Sequence, residues 1–195
     1  MKNIQIISKT LVLLFILSFV AMPFLNAQKK QLMPLSIGNY WNYDEDSVQV
    51  WQSKVERDTV VKGVKWYFLR NEGWYSNLSD GLYGELFSYQ IDSVIKPQLV
   101  FPTAIGHHYR DFHDDSVVVL SCDTNIVVKR GEFRCYLYRI FPTETKLYHH
   151  FSPPLYIDVY CSPEVGIIKV ERFDKRNGKI VRISYHELSE FKINK

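Results

Sequence analysis

Val165-Gly166-Ile167-Ile168-Lys169-Val170-Glu171-Arg172-Phe173, a short polar step through Asn177-Gly178, then Lys179-Ile180-Val181-Arg182-Ile183-Ser184-Tyr185: this stretch decides the fold. Two runs rich in β-branched residues flank an Asn-Gly pair. A two-residue hairpin turn needs positive φ at both central positions, and Asn-Gly supplies it at the lowest steric cost. The stretch therefore predicts two antiparallel strands joined by a tight turn.

The same grammar recurs upstream. Lys62-Gly63 separates a long run, Val48 to Val61, from Val64 to Leu69, where Val64, Trp66 and Phe68 alternate with Lys65, Tyr67 and Leu69. That alternation covers both faces in part. Lys129-Arg130-Gly131-Glu132 lies between Ile126–Val128 and Phe133–Phe141 and reads as a second hairpin turn. Gly38 to Tyr43, a strand carrying Tyr83, Phe87, Tyr89 and Ile91, Val117–Leu120 and Tyr156–Tyr160 complete the set. About ten strands follow from this spacing, and only His186 to Phe191 could close as a short helical turn. Parallel strands need crossovers of a dozen or more residues, and none is visible. The expected fold is mainly β: an antiparallel, strongly curved sheet forming an open barrel or a sandwich, with little helix outside the leader.

The first residues read differently. Lys2 and Lys9 make a positive start, Leu11 to Leu25 an apolar run interrupted by Pro23, and Leu25-Asn26-Ala27 a cleavage site for signal peptidase. A membrane span needs about 20 apolar residues, so this run is short for an anchor. Residues 1–27 are expected to be a removable signal peptide and 28–195 a single exported β domain. The rival is an uncleaved N-terminal anchor. Lipid attachment is not expected, because no cysteine stands near the boundary.

Removing Lys2 and Lys9 from the 24 basic residues leaves 22 against 21 acids, so the mature chain is close to neutral. Nucleic acid is excluded as a partner on that balance. No stable membrane span is expected once the signal is removed. Aromatic residues make up 15% of the chain, which suits half-buried pleated surfaces and also suits binding faces. Cys122, Cys135 and Cys161 would meet an oxidising space. Cys135 with Cys161 is the favoured pair if one forms, and three small buried hydrophobes is the equal alternative.

Three ordered motifs carry a family resemblance. Pro34-Leu35-Ser36-Ile37-Gly38-Asn39-Tyr40-Trp41-Asn42-Tyr43 opens the mature chain. Val127-Val128-Lys129-Arg130-Gly131-Glu132-Phe133-Arg134-Cys135-Tyr136 marks its middle, and Tyr160-Cys161-Ser162-Pro163-Glu164-Val165-Gly166-Ile167-Ile168-Lys169 its last third. Together they resemble a group of uncharacterised secreted bacterial β-sheet proteins. The resemblance implies a fold and an address and no activity. Lys129-Arg130 departs from the small or proline residues usual before that glycine. Physically, Gly131 is expected to supply a positive φ, Gly166 a close packing or bulge position, and Trp41 with Tyr43 a cap on the core.

Of the constellations with chemical potential, His107-His108-Tyr109-Arg110-Asp111-Phe112-His113-Asp114-Asp115 is the richest, with imidazoles and carboxylates that zinc or copper would accept. It lies on a Pro- and Gly-flanked loop, which argues for a solvated polar segment. His149-His150 could add ligands only if the fold brought it near. Asp114-Asp115 would face opposite sides of a strand and could not share a substrate. No catalytic, cofactor-binding or metal residue is assigned, and no cofactor is expected. The expected function is a non-catalytic binding or envelope-associated module whose partner is a protein, a glycan or a small apolar ligand. The alternatives are a carrier of an apolar ligand and an exported hydrolase whose residues converge from loops.

Overall fold

The structure is a computed structural model, and it describes residues 30–46, 48–84, 95–143 and 153–194. The signal-peptide segment, the strand positions Phe87, Tyr89 and Ile91, and His149-His150 lie outside the described residues.

Twelve strands form one antiparallel sheet. The first half is β1 (Tyr40–Glu45), β2 (Val48–Val61), β3 (Val64–Leu69), β4 (Gly73–Leu78), β5 (Gly81–Gly84) and β6 (Leu99–Val100). The second is β7 (His108–Arg110), β8 (Ser116–Val128), β9 (Gly131–Phe141), β10 (Tyr156–Ser162), β11 (Gly166–Arg176) and β12 (Lys179–Lys192). The order across the sheet is β6-β5-β4-β3-β2-β1-β12-β11-β10-β9-β8-β7. Each half is thus a meander of neighbours in sequence, and the two are joined where β1 pairs with β12.

The expected turns are present. Asn177 and Gly178 have φ of 51° and 77°, and Lys62 and Gly63 have 48° and 79°, the double-positive geometry of a tight hairpin. Val48 to Val61 is one strand. Val117–Leu120 and Ile126–Val128 belong to a single strand, β8, whose register against β9 shifts twice, between Val119 and Ser121 and between Ser121 and Thr124.

Two expectations need correction. Among the described residues there are twelve strands: β4, β6 and β7 were not expected, the last two having only two and three residues in a Pro- and Gly-rich stretch, and two expected strands merge into β8. His186 to Phe191 is not a helical turn but part of β12, paired through Trp41↔Phe191 and Tyr43↔Leu188. A register shift between Asn42 and Tyr43 inserts one extra residue, so Leu188 and Phe191, three apart, both reach the core. Three-residue spacing of apolar residues mimics a helix when a bulge is its real cause.

The sheet is continuous and curled, not a sandwich. Its two end strands, β6 and β7, share no ladder; side-chain hydroxyls span the seam instead. Tyr109 Oη accepts the Val100 N–H at 3.3 Å and donates to Gln98 O at 3.2 Å, while Tyr138 Oη donates to Val100 O at 2.8 Å. Short edge strands tied down in this way present little backbone for another chain to pair with.

Inside lies one large core that includes Trp41, Val55, Leu69, Val117, Val119, Tyr138, Ile168 and Leu188, all fully buried. Burial of a large side chain contributes about 2–3 kcal/mol. Before β1, Leu32, Met33 and Leu35 of the lead-in join this core. Hydrogen bonds from Glu164 N to Gln31 O and from Asn77 Nδ2 to Met33 O fix that lead-in. Gly166, with φ of 108°, packs so closely that a Cβ there would stand 3.2 Å from Met33 Cγ and 3.4 Å from Trp41 Nε1. Trp41 Nε1 donates to Val165 O at 2.6 Å, which locks the ring over that glycine turn. A second, smaller cluster, Trp66 and Tyr83 with Trp74, covers the other face of β3–β5. No helix among the described residues is long and apolar enough to cross a membrane.

Candidate functional site

Antiparallel order sends the β1–β2, β3–β4, β7–β8 and β11–β12 connections to one end of the sheet, and the lead-in with the β2–β3, β8–β9 and β10–β11 turns to the other. The lead-in fills that second end. Groups with binding potential gather at the first end, and an open hollow of about 340 Å³ beside Gln31, Leu35, Gly63 and Tyr67 lies by the lead-in.

The histidine loop is a turn tied both to itself and to neighbouring segments. Asp111 Oδ1 accepts the N–H of both His113 and Asp115 at 2.9 Å, Asp115 Oδ1 accepts the N–H and hydroxyl of Thr143, and Asp114 pairs with Lys96 at 2.6 Å. His107 Nδ1 shares a 2.8 Å hydrogen bond with Thr103 Oγ1. The carboxylates are thus occupied as staples of the chain. Among the described residues no three His, Cys, Asp or Glu side chains are grouped to hold a metal ion.

The cysteines are all free. Cys135 on β9 and Cys161 on β10 are fully buried, and burial pushes both thiols up, Cys135 to about 12. A thiol held protonated is a poor nucleophile. Cys122 is half-buried, its Sγ 3.5 Å from Thr103 O.

The outer face of β9–β12 carries a row of rings. Phe141, Tyr156 and Phe173, from three adjacent strands, stand with centroids 6.3 Å and 4.8 Å apart. The Arg139 guanidinium lies 3.9 Å from the Tyr156 centroid and forms a two-pronged ion pair with the buried Asp158, both bonds 2.8 Å. Phe173 stacks on Tyr156 at 24°, and Arg139 is placed over the Tyr156 ring. Next along the face, Glu171 accepts Arg182 Nη1 at 2.6 Å, Lys169 Nζ at 3.1 Å and Tyr160 Oη at 3.2 Å. Burial alone would raise the Glu171 pKa, but the bonds from Arg182 and Lys169 outweigh it and leave it below the usual value.

Beyond that row the β11–β12 hairpin projects. β10 ends its ladder with β11 at Tyr156↔Phe173, and β1 ends its ladder with β12 at Asp44↔Glu187. The pairs Asp174↔Val181, Lys175↔Ile180 and Arg176↔Lys179 continue as a two-stranded ribbon. Lys175, Arg176, Lys179 and Arg182 are exposed along it, with Ile180 and Ile183 at 57% and 39% exposure.

A small pocket on the inner side was not foreseen from the sequence. Tyr43, Trp51, Glu72, Ile167, Val170 and His186 enclose about 50 Å³. Burial raises the Glu72 carboxyl to about 7. Burial lowers the His186 imidazole, Arg172 lowers it further, and Glu45, 3.8 Å away, pulls it back up. Two titratable groups, shifted in opposite directions and both toward their neutral forms, thus share an apolar enclosure. Tyr43, the hydroxyl nearest to hand, donates to Ile167 O at 3.1 Å. The space holds about three or four waters at roughly 10–15 Å³ each, against the ~300 Å³ or more of a small-molecule site. Nothing in the spacing of Glu72 and His186 pairs them, since they come from a turn and a strand 114 positions apart in the printed sequence.

No family model matches the sequence, and no curated protein matches it. Two solved structures are similar to it. One, described as an exported protein with a YmcC-like fold from Bacteroides fragilis NCTC 9343, is 13% identical, with 84% of this chain and 100% of that chain covered at a TM-score of 0.46. The other, described as a lipoprotein from Parabacteroides distasonis ATCC 8503, is 15% identical, with 84% of this chain and 99% of that chain covered, also at a TM-score of 0.46.

Proposed function

We propose that this chain is an exported domain of the bacterial cell envelope that acts by binding a partner. The lysine-flanked apolar leader ending at Ala27 supports export. The observation that carries the binding reading is the contrast between the two ends of the sheet. One end is closed by Leu32, Met33 and Leu35; the other presents the ring row Phe141–Tyr156–Phe173 and the projecting β11–β12 hairpin. Polar groups elsewhere, such as Asp111, Asp115 and Glu171, are engaged in holding the chain together.

The carrier reading has less support, because the apolar pocket beside Trp51 encloses only about 50 Å³, and the larger hollows, about 340 Å³ beside Leu35 and Tyr67 and about 420 Å³ beside Asn42 and Lys129, are open and partly polar. The enzyme reading would use Glu72 and His186, and that enclosure leaves little room for a substrate beside them.

Native isolation from the exported fraction, followed by mass spectrometry of what stays bound, tests the reading. A partner present in stoichiometric amount and lost in Phe141→Ser or Ile180→Ser, with the fold intact, is the expected result. Recovery of full-length chain with Met1 in the cytosol would overturn it.

A further inference from the structure

The mature chain is close to neutral, yet its charge is not evenly spread in space. Between Arg172 and Ile183 there are five basic side chains, Arg172, Lys175, Arg176, Lys179 and Arg182, against the single carboxylate of Asp174. Arg182 is partly neutralised by Glu171. Lys175, Arg176 and Lys179 are exposed around the turn. With this ribbon set aside, the rest of the mature chain is net acidic.

Among the described residues, this cationic ribbon is also the part of β11 and β12 without a third strand in its ladder. A two-stranded ribbon in water gains little by exposing isoleucine, yet Ile180 and Ile183 stand 57% and 39% exposed beside the basic groups. Lysine and arginine stems next to aliphatic tips make a surface that can enter the boundary between lipid headgroups and acyl chains while the cations stay with the phosphates.

We propose that the tip of the β11–β12 hairpin is a peripheral docking element for an anionic phospholipid bilayer. Lys175, Arg176 and Lys179 meet the headgroup phosphates, and Ile180 with Ile183 enters the layer beneath them. The inference deepens the binding reading and rests on it, naming the partner as a lipid surface. A soluble acidic polymer would satisfy the cations but would leave the isoleucines in water, so the aliphatic tips favour the bilayer.

The test uses protein isolated from exporting cells and sedimented with vesicles of phosphatidylglycerol or of phosphatidylcholine. Binding to phosphatidylglycerol alone, falling as salt is raised, is expected. Each cation removed should weaken partitioning by about fivefold, so Lys175→Glu, Arg176→Glu and Lys179→Glu together should weaken it by more than about a hundredfold. Ile180→Ser with Ile183→Ser should weaken it by about tenfold or more. These sites are exposed, and an unchanged circular dichroism spectrum shows that each variant is folded. Equal binding to both vesicle types, or none to either, overturns the proposal. Binding that the isoleucine changes leave untouched, and that a soluble acidic polysaccharide reproduces, also overturns it and assigns the ribbon to a polymer. If vesicles fail while another partner co-purifies from the exported fraction, the lipid inference falls and the binding reading stands.

Discussion

Tyr138 on β9 donates its hydroxyl to the carbonyl of Val100 on β6, at 2.8 Å, across the seam where the curled sheet does not close. The two strands lie near opposite ends of the sheet order, so this bond exists only because the sheet curls far enough to bring them together. Tyr138 is fully buried, and Tyr109 makes two more bonds to the same strip of backbone.

Tyr138→Phe keeps the ring and deletes the bond, leaving a carbonyl without its partner. A loss of about 1–2 kcal/mol is expected in urea unfolding. Tyr109→Phe should behave alike, and the double variant should lose a different amount from the sum, since both hydroxyls serve Val100.

Gly166 and Gly178 both hold positive φ but differ in their surroundings. Gly178→Ala meets nothing within 4 Å and should cost only the backbone strain, about 1 kcal/mol. Gly166→Ala adds crowding against Met33 and Trp41 and should cost about 2–4 kcal/mol. Comparison of the two unfolding midpoints checks the packing of the lead-in against the β10–β11 turn.

Arg139 and Asp158 form the ion pair beneath the ring row, with side-chain exposures of 29% and 5%. Arg139→Met leaves a buried carboxylate without its counter-charge and should cost about 2–4 kcal/mol. Arg139→Met with Asp158→Leu should recover much of that loss. If the single and double variants are equally unstable, the pair is not coupled as the geometry requires.

Glu72 gives a pH signature of definite sign. Its folded pKa is raised from 4.5 to about 7, so the folded state holds the proton more tightly than the unfolded chain. That contribution is complete below about pH 4.5, declines as pH rises, and is gone above about pH 7. His186, lowered by burial, acts in the opposite sense: its contribution is present above its ordinary 6.5 and is lost as pH falls. Glu72→Gln should therefore be more stable than wild type at pH 8, with the difference shrinking or reversing by pH 4. Chemical unfolding across that range measures it.

The strand pattern was readable because turn residues and alternation are local. Asn177-Gly178 and Lys62-Gly63 adopt the conformations their chemistry demands. Pairing between β1 and β12 was not readable, since it joins residues about 150 positions apart and depends on a bulge that disguises Leu188 and Phe191 as helical. The short strands β6 and β7 were invisible because tyrosine hydroxyls, not periodicity, hold them. The site was less accessible still. The basic ribbon is plain as a string of letters, yet acids elsewhere cancel it in any whole-chain count. Only the ladder ends at Phe173 and Glu187 show that it projects. Glu72 and His186 carried no signal, because the enclosure around them is assembled from four strands and a turn.

The junction of β1 with β12 makes one sheet of two meanders and sets which connections gather at each end. Cross-strand nuclear Overhauser contacts across that junction test it directly. The fold predicts contacts of Trp41 with Phe191 and of Tyr43 with Leu188, together with slow amide exchange along both strands. Absence of those contacts, or contacts of Trp41 and Tyr43 with β6 in their place, would contradict the sheet order and everything placed by it.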